Sequence, residues 1–232
     1  MADLLWGAKK QKSKGPKPIL SIDKIVKQAV WIADTEGIGA LSMNSLAAAL
    51  GVGTMSLYRY VPNKDELVAL MIDTVIGPPQ ATPSGKTWRQ AMRRWSAMTL
   101  DIFDRHPWLL PLIATPRRIG PHELAWGEIA LKIALKAADE AGARPEEMYN
   151  VVVLVNSFVR GYAQMSAKPG HGPRLDLEAI ARSGSLQRYP MLMIAMGVSE
   201  GDTERDGRPQ QSFEFGIERV LDGIELYLKG RK

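Results

Sequence analysis

The sequence has no cysteine. Disulfides, thiolate metal sites and cysteine nucleophiles are therefore all excluded, and a reducing, cytoplasmic setting is expected. Histidine is scarce as well: only His106, His122 and His171 occur, and they form no constellation with acids or with one another. No Gly-x-Ser-x-Gly segment is present. Nucleophilic or metal-assisted catalysis has nothing to work with, so no enzyme, no metal and no cofactor is expected. Long apolar runs are also missing; Val151–Val155 falls far short of the ~18 residues a membrane span needs, so no membrane partner is expected. The opening MADLLWGAKKQKSKGPKP places its apolar residues before its lysines and has no apolar core segment, unlike a signal peptide. No stretch alternates as a strand would, and no repeat is evident.

The charge present is unevenly placed. The net charge is +5, and residues 1–64 hold nine Lys/Arg against four acids, whereas the rest of the chain is neutral. A basic end on a neutral body suggests a polyanionic partner for that end, the plainer alternative being a solvated lysine tail.

Helical periodicity runs throughout and predicts an all-α protein. Ser21 reads as an N-cap, with Ile22, Ile25, Val26, Ala29, Val30 and Ala33 at helical spacing. Gly37 and Gly39 stop that helix. Short helices follow from Ser42 to Leu50 and from Thr54 to about Tyr60, and a longer one from Lys64 to about Ile76. Residues 77–85 read as a linker. Helices are then expected over 88–103, 122–141, 146–167 and 211–229, with a short one inside the Pro-rich 107–121 stretch. Residues 168–174 read as a loop, 175–182 as a short helix and 183–209 as loop-rich.

The stretch LAAALGVGTMSLYRYVPNKDEL, residues 46–67, carries the functional signal. Gly51-Val52-Gly53 invites comparison with a phosphate-binding loop. A dinucleotide fingerprint needs a third glycine after a strand, however, and position 56 is Ser after a helix; no Gly-Lys-Ser/Thr exists either. The helix-turn-helix reading accounts for each residue. Ala47 lets two helices approach, Gly51 makes the turn, and Leu46, Leu50, Val52 and Leu57 point inward. Thr54, Met55, Ser56, Tyr58, Arg59 and Tyr60 then lie mostly on exposed faces, as groups that reach phosphates and base edges.

Residues 21–76 resemble the DNA-binding domain of the tetracycline-repressor (TetR) family of bacterial transcriptional regulators. The resemblance rests on Gly-x-x-x-Leu-Ser, Leu-Ala-x-x-Leu-Gly-Val and Leu-Tyr-x-Tyr-Val-x-Asn-Lys-x-x-Leu as they stand here. It implies a ligand-responsive regulator, a repressor, that binds a two-half-site DNA operator as a homodimer and is released by a small-molecule inducer. It also implies three regions: a basic arm over 1–20, a helix-turn-helix domain over 21–76, and a helical ligand-binding and dimerisation domain over 77–232. By position, Asn44 matches a base-reading residue of the second helix, and Ser42 its capping and phosphate-touching hydroxyl. Thr54, Met55 and Arg59 match base-facing positions, while Ser56, Tyr58 and Tyr60 match contacts to phosphate or base edges. Lys64 matches the lysine that opens the fourth helix near the DNA backbone. Asn44 and Met55 depart from the arginine and proline of tetracycline repressor itself, so a different operator is expected. Asparagine suits adenine, and methionine a thymine methyl. Lys14 and Lys17 are placed to add phosphate or minor-groove contacts.

In the body, Trp88, Met92, Trp95, Thr99, Ile102 and His106 form one helical stripe, mostly core. Val151–Val155, apolar all round, predicts burial on several sides, and Asn156 and Arg160 follow one turn apart. A pocket is expected to be lined by Trp95, Met98, His106, Asn156, Phe158 and Arg160, with a mostly apolar ligand whose anionic group meets Arg160. The body methionines suit either an adaptable pocket or flexible core filling. For the dimer, Phe213, Ile217, Val220, Leu221, Ile224 and Leu228 form the apolar face of the last helix; this face either meets a second copy or covers its own core. A DNA-binding dimer without an inducer is the alternative function. No secure equivalent of the metal ligands of tetracycline repressor is present.

Overall fold

The computed structural model of the chain describes residues 4–7, 20–79, 85–139, 143–166, 188–195 and 213–230. Helix α1, Ile22–Glu36, opens at Ser21, whose hydroxyl accepts the Lys24 amide at 3.3 Å. Ile25, Val26, Ala29, Ile32 and Ala33 form its buried face. Helix α2, Met43–Leu50, starts on a reciprocal cap: Ser42 Oγ accepts the Ser45 amide, and Ser45 Oγ accepts the Ser42 amide. Gly51 ends it at φ 67°, a left-handed conformation that a side chain would strain. Helix α3, Thr54–Tyr58, is only five residues long and is held by Leu57, which is fully buried. Helix α4, Lys64–Ile76, begins where Asn63 Oδ1 accepts the Glu66 amide at 2.8 Å.

Among the described residues the body holds α5 (Trp88–Arg105), α6 (Leu109–Ile113), α7 (Pro121–Asp139), α8 (Pro145–Ser166), α9 (Pro190–Ala195) and α10 (Phe213–Lys229). Proline opens α7, α8 and α9, where its missing N–H costs no helical bond. The described residues contain no strand. No described helix is long and apolar enough to cross a membrane.

Helix α1 packs on α2 and α4, and α2 on α3; α5, α7 and α8 pack on one another, with α10 against α8 and α5. Helix α4 also packs on α7, and so belongs to both groups. Arg89 of α5 is ringed by Glu218, Asp222 and Glu225 of α10, and Arg93 also pairs with Glu218. The hydrogen bond from Arg89 holds the Glu218 carboxyl below its ordinary pKa, outweighing the burial that would raise it.

Of the stretch expected to be loop-rich, 183–209, residues 188–195 are described and include the six-residue helix α9. One expectation needs correction. Val151–Val155 is not buried all round: Val151, Val152 and Val155 face the core, but Val153 and Leu154 are exposed in the single chain. Apolar character on every side of α8 therefore does not come from enclosure within this chain. The helix expected over 175–182 and the loop over 168–174 lie outside the described residues.

Candidate nucleic-acid interface and body cavity

Ser42, Asn44, Met55, Tyr58, Arg59 and Lys64 are all exposed on the α2–α3 unit and the start of α4. Met55 is 75% exposed, an apolar side chain left in water on a five-residue helix. Thr54 and Ser56 are half-buried. Tyr60 is half-buried too, and its ring packs against the core rather than standing free. Thr54 Oγ1 donates to Asn44 Oδ1 at 3.2 Å and so ties α3 to α2. Lys64 Nζ donates to the Leu41 carbonyl at 2.8 Å, a bond across 23 residues that fastens the start of α4 to the turn before α2. Lys14 and Lys17 lie outside the described residues.

Among the described residues four sets of polar contacts join this unit to the body, and sequence reasoning found none of them. Asp34 of α1 accepts Trp108 Nε1–H at 2.6 Å and meets His106 Nδ1 at 2.7 Å. Glu66 of α4 pairs with Arg118 at 3.1 Å. Asp73, buried on α4, accepts the His122 amide at 2.9 Å and thereby caps α7 across the joint. Gly120 sits so close to Asp73 that any Cβ there would overlap the carboxylate. Lastly, Trp126 Nε1–H donates to the Gly77 carbonyl at the end of α4, at 3.0 Å.

The body holds a cavity of about 260 Å³ between α5, α7 and α8. Trp95, Phe103, Trp126 and Tyr149 give it aromatic walls, and Asn156 and Arg160, one turn apart on α8, face it together. Its two indole N–H groups are already used: Trp95 donates to the Trp126 carbonyl at 3.1 Å and Trp126 to Gly77. Arg117 also lines it, clasping Glu123 through both terminal nitrogens at 2.7 and 2.6 Å, while its buried Nε has no partner. Among the described residues Arg160 has no acidic partner. The polar groups left open to an occupant are mainly donors.

Of the six residues expected around the pocket, Trp95, Asn156 and Arg160 line this cavity and the other three do not. Met98 packs half-buried against the core. His106 stands at the end of α5, turned to Asp34. Phe158 stacks on Phe213, with ring centroids 5.7 Å apart, because its side of α8 faces α10.

The six residues expected as a dimer face on α10 lie against their own chain. Ile217, Leu221, Ile224 and Leu228 are buried against their own chain, and Phe213 and Val220 pack half-buried beside them. These are the residues that dock α10 onto α5 and α8. The apolar side chains α10 leaves exposed are Phe215, Leu226 and Tyr227, and α8 adds Tyr149, Val153, Leu154 and Met165. Val220, Gly223 and Tyr227 of α10 and Asn150 and Leu154 of α8 line one open groove.

Among the described residues no three His, Asp or Glu side chains gather as a metal site.

Residues 25–71 match the family of bacterial regulatory proteins named for tetR, and residues 79–228 match the tetracyclin repressor-like C-terminal domain. The chain is 34% identical over 246 residues to the HTH-type transcriptional repressor DrrR1 of Streptomyces coeruleorubidus, covering 99% of this chain and 86% of that protein. The crystal structure of apo ActR from Streptomyces coelicolor is similar with a TM-score of 0.71 at 24% identity, over 94% of this chain and 100% of that one. ActR in complex with actinorhodin gives 0.68 at 25% identity, over 90% and 96%.

Proposed function

The chain belongs to the TetR family of bacterial regulatory proteins and is a DNA-binding transcriptional repressor, not an enzyme; from this we propose that it holds a palindromic operator as a cytoplasmic homodimer and releases it when a small molecule fills the body cavity. Residues 21–76 serve as the DNA reader and 77–232 as the ligand-binding and dimerising body. Asn44, Thr54, Met55 and Arg59 face the bases; Ser42, Ser56, Tyr58, Tyr60 and Lys64 meet phosphate or base edges, with Lys14 and Lys17 beyond them. A recognition helix of five residues reads few base pairs, so specificity requires two copies on two half-sites.

The observation that carries the ligand response is a hydrogen-bonded path from cavity to reader. Trp95 and Trp126 both line the cavity, Trp95 bonds the Trp126 carbonyl, and Trp126 bonds the last turn of α4 at Gly77. An occupant that shifts either indole shifts the end of α4, whose other end is tied by Lys64 to the turn before α2. The aromatic walls and the open donors of Asn156 and Arg160 favour an apolar, aromatic ligand with an acceptor or anionic group. ActR, crystallised in complex with actinorhodin, supports a ligand role for a chain of this fold.

The test follows from linkage: an inducer binds free protein more tightly than operator-bound protein, by the factor by which it weakens DNA binding. Tryptophan fluorescence reports occupancy, since Trp95 and Trp126 form the wall. A panel of aromatic carboxylic acids is titrated with and without operator duplex. Equal affinities in the two titrations would favour a DNA-binding dimer without an inducer.

A further inference from the structure

We propose that Asn44 and Thr54 read one base pair as a coupled unit, with Thr54 as the residue that positions the Asn44 amide. The inference rests on the placement of Asn44 at the bases given above, and it names the source of selectivity there. Asn44 is the second residue of α2, and Thr54 is the first of α3. The α2–α3 turn brings them together, and Thr54 Oγ1 donates to Asn44 Oδ1 at 3.2 Å. Asn44 is exposed, whereas Thr54 is half-buried and fixed by the helix it opens.

An exposed asparagine on its own presents its oxygen and nitrogen in either order. Adenine accepts only one order: amide oxygen toward N6–H₂ and amide nitrogen toward N7. The reversed order sets two donors against each other. The Thr54 hydroxyl can donate to the amide oxygen or accept from the amide nitrogen, so what its bond fixes is the place and plane of the Asn44 amide beside α3, which a mobile side chain would otherwise have to find on the DNA. The oxygen keeps a second lone pair for the base, and both N–H groups stay available. Threonine suits the task, since its branched Cβ restricts χ1 and holds the hydroxyl still. The energy of this exposed hydrogen bond is small; its effect is to hold the amide in place before DNA arrives.

The full-length protein is assayed against a selected palindromic operator and its single-base-pair variants. Asn44→Ala identifies the base pair that Asn44 reads. Thr54→Val, which keeps shape and branching but loses the donor, is expected to lower discrimination at that same pair by roughly tenfold. Thr54→Ser retains the donor and is expected to restore most of it. The double variant Asn44→Ala with Thr54→Val is expected to discriminate no worse there than Asn44→Ala alone. If Thr54→Val alters preference only at a different base pair, Thr54 reads without Asn44 and the coupling is overturned. Equal loss on every sequence also overturns it, since that marks a merely structural role. Should Asn44→Ala change no preference at all, the placement of Asn44 fails together with the coupling; a change with Asn44→Ala but none with Thr54→Val sinks the coupling only.

Discussion

Lys64 holds two positions at once. Its ammonium donates to the Leu41 carbonyl at 2.8 Å, yet the residue is exposed and proposed to meet the DNA backbone. Lys64→Ala is expected to weaken binding to operator and random DNA alike and to reduce the slope of log affinity against log salt by about one unit. It should also cost roughly 0.5–1 kcal/mol of stability through the lost bond to Leu41. Gel shifts at several salt concentrations check the first part and urea denaturation the second; a change in preferred sequence would contradict the assignment. The lysine itself was legible from its place after Asn63, but its partner was not. Asp73 shows the same limit. A carboxylate inside the apolar run LVALMIDTVI announces a buried acid in need of a partner. That the partner is the N-terminus of α7, 49 residues on, only packing reveals.

At the scale of the helix, α10 carries two apolar faces, and the one that periodicity singled out packs against its own chain. The stronger stripe, Ile217–Leu221–Ile224–Leu228, is spent on the chain's own core. Ile217→Asp with Ile224→Asp is therefore expected to unfold the body, because two charges would enter fully desolvated positions. Leu154→Glu with Leu226→Glu, on the exposed faces of α8 and α10, is expected to give a folded monomer with much weakened operator binding. Light scattering with circular dichroism separates the two outcomes. A Leu154/Leu226 variant that stays dimeric would refute the assigned face. The α5–α10 contact should also be acid-sensitive. The Glu218 carboxyl titrates below its ordinary value because Arg89 donates to it, so in the unfolded chain it takes up its proton first as pH falls. This stabilisation is complete above about pH 5 and declines as pH drops through the ordinary glutamate range toward the lower folded value. Glu218→Gln should flatten that part of a stability-against-pH curve; an unchanged acid limb would mean the ion cluster contributes nothing.

Across the whole molecule, α4 is the joint. Its start is tied to the turn before α2 by Lys64, its middle caps α7 through Asp73, and its end receives the Trp126 N–H. Trp126→Phe keeps an aromatic wall for the cavity but removes the bond to Gly77. The ratio of ligand affinities for free and operator-bound protein should then fall toward one, even where the ligand still binds. Fluorescence through Trp95, with and without operator duplex, measures that ratio. A ratio unchanged from the parent protein would place the coupling in the Glu66–Arg118 and Asp73–His122 contacts instead.

The amino-acid sequence by itself determined everything that is local. The caps at Ser21, Ser42 and Asn63 lie within three residues of the amides they satisfy, and Gly51 is the residue a left-handed turn requires, so the helix starts and the helix-turn-helix were readable in order. The exposure of Met55, Tyr58 and Arg59 followed from the same short-range pattern, whereas Asn44 was singled out by the family resemblance. Tertiary structure alone decided which apolar face meets which neighbour. Burial is a property of what packs opposite, and periodicity carries no record of that. For this reason Met98, His106 and Phe158 left the expected pocket while Trp126, Tyr149 and Arg117 entered it. The path from cavity to α4 likewise runs through an indole N–H and a carbonyl 49 residues apart, a pairing that exists only once α4 and α7 lie against each other.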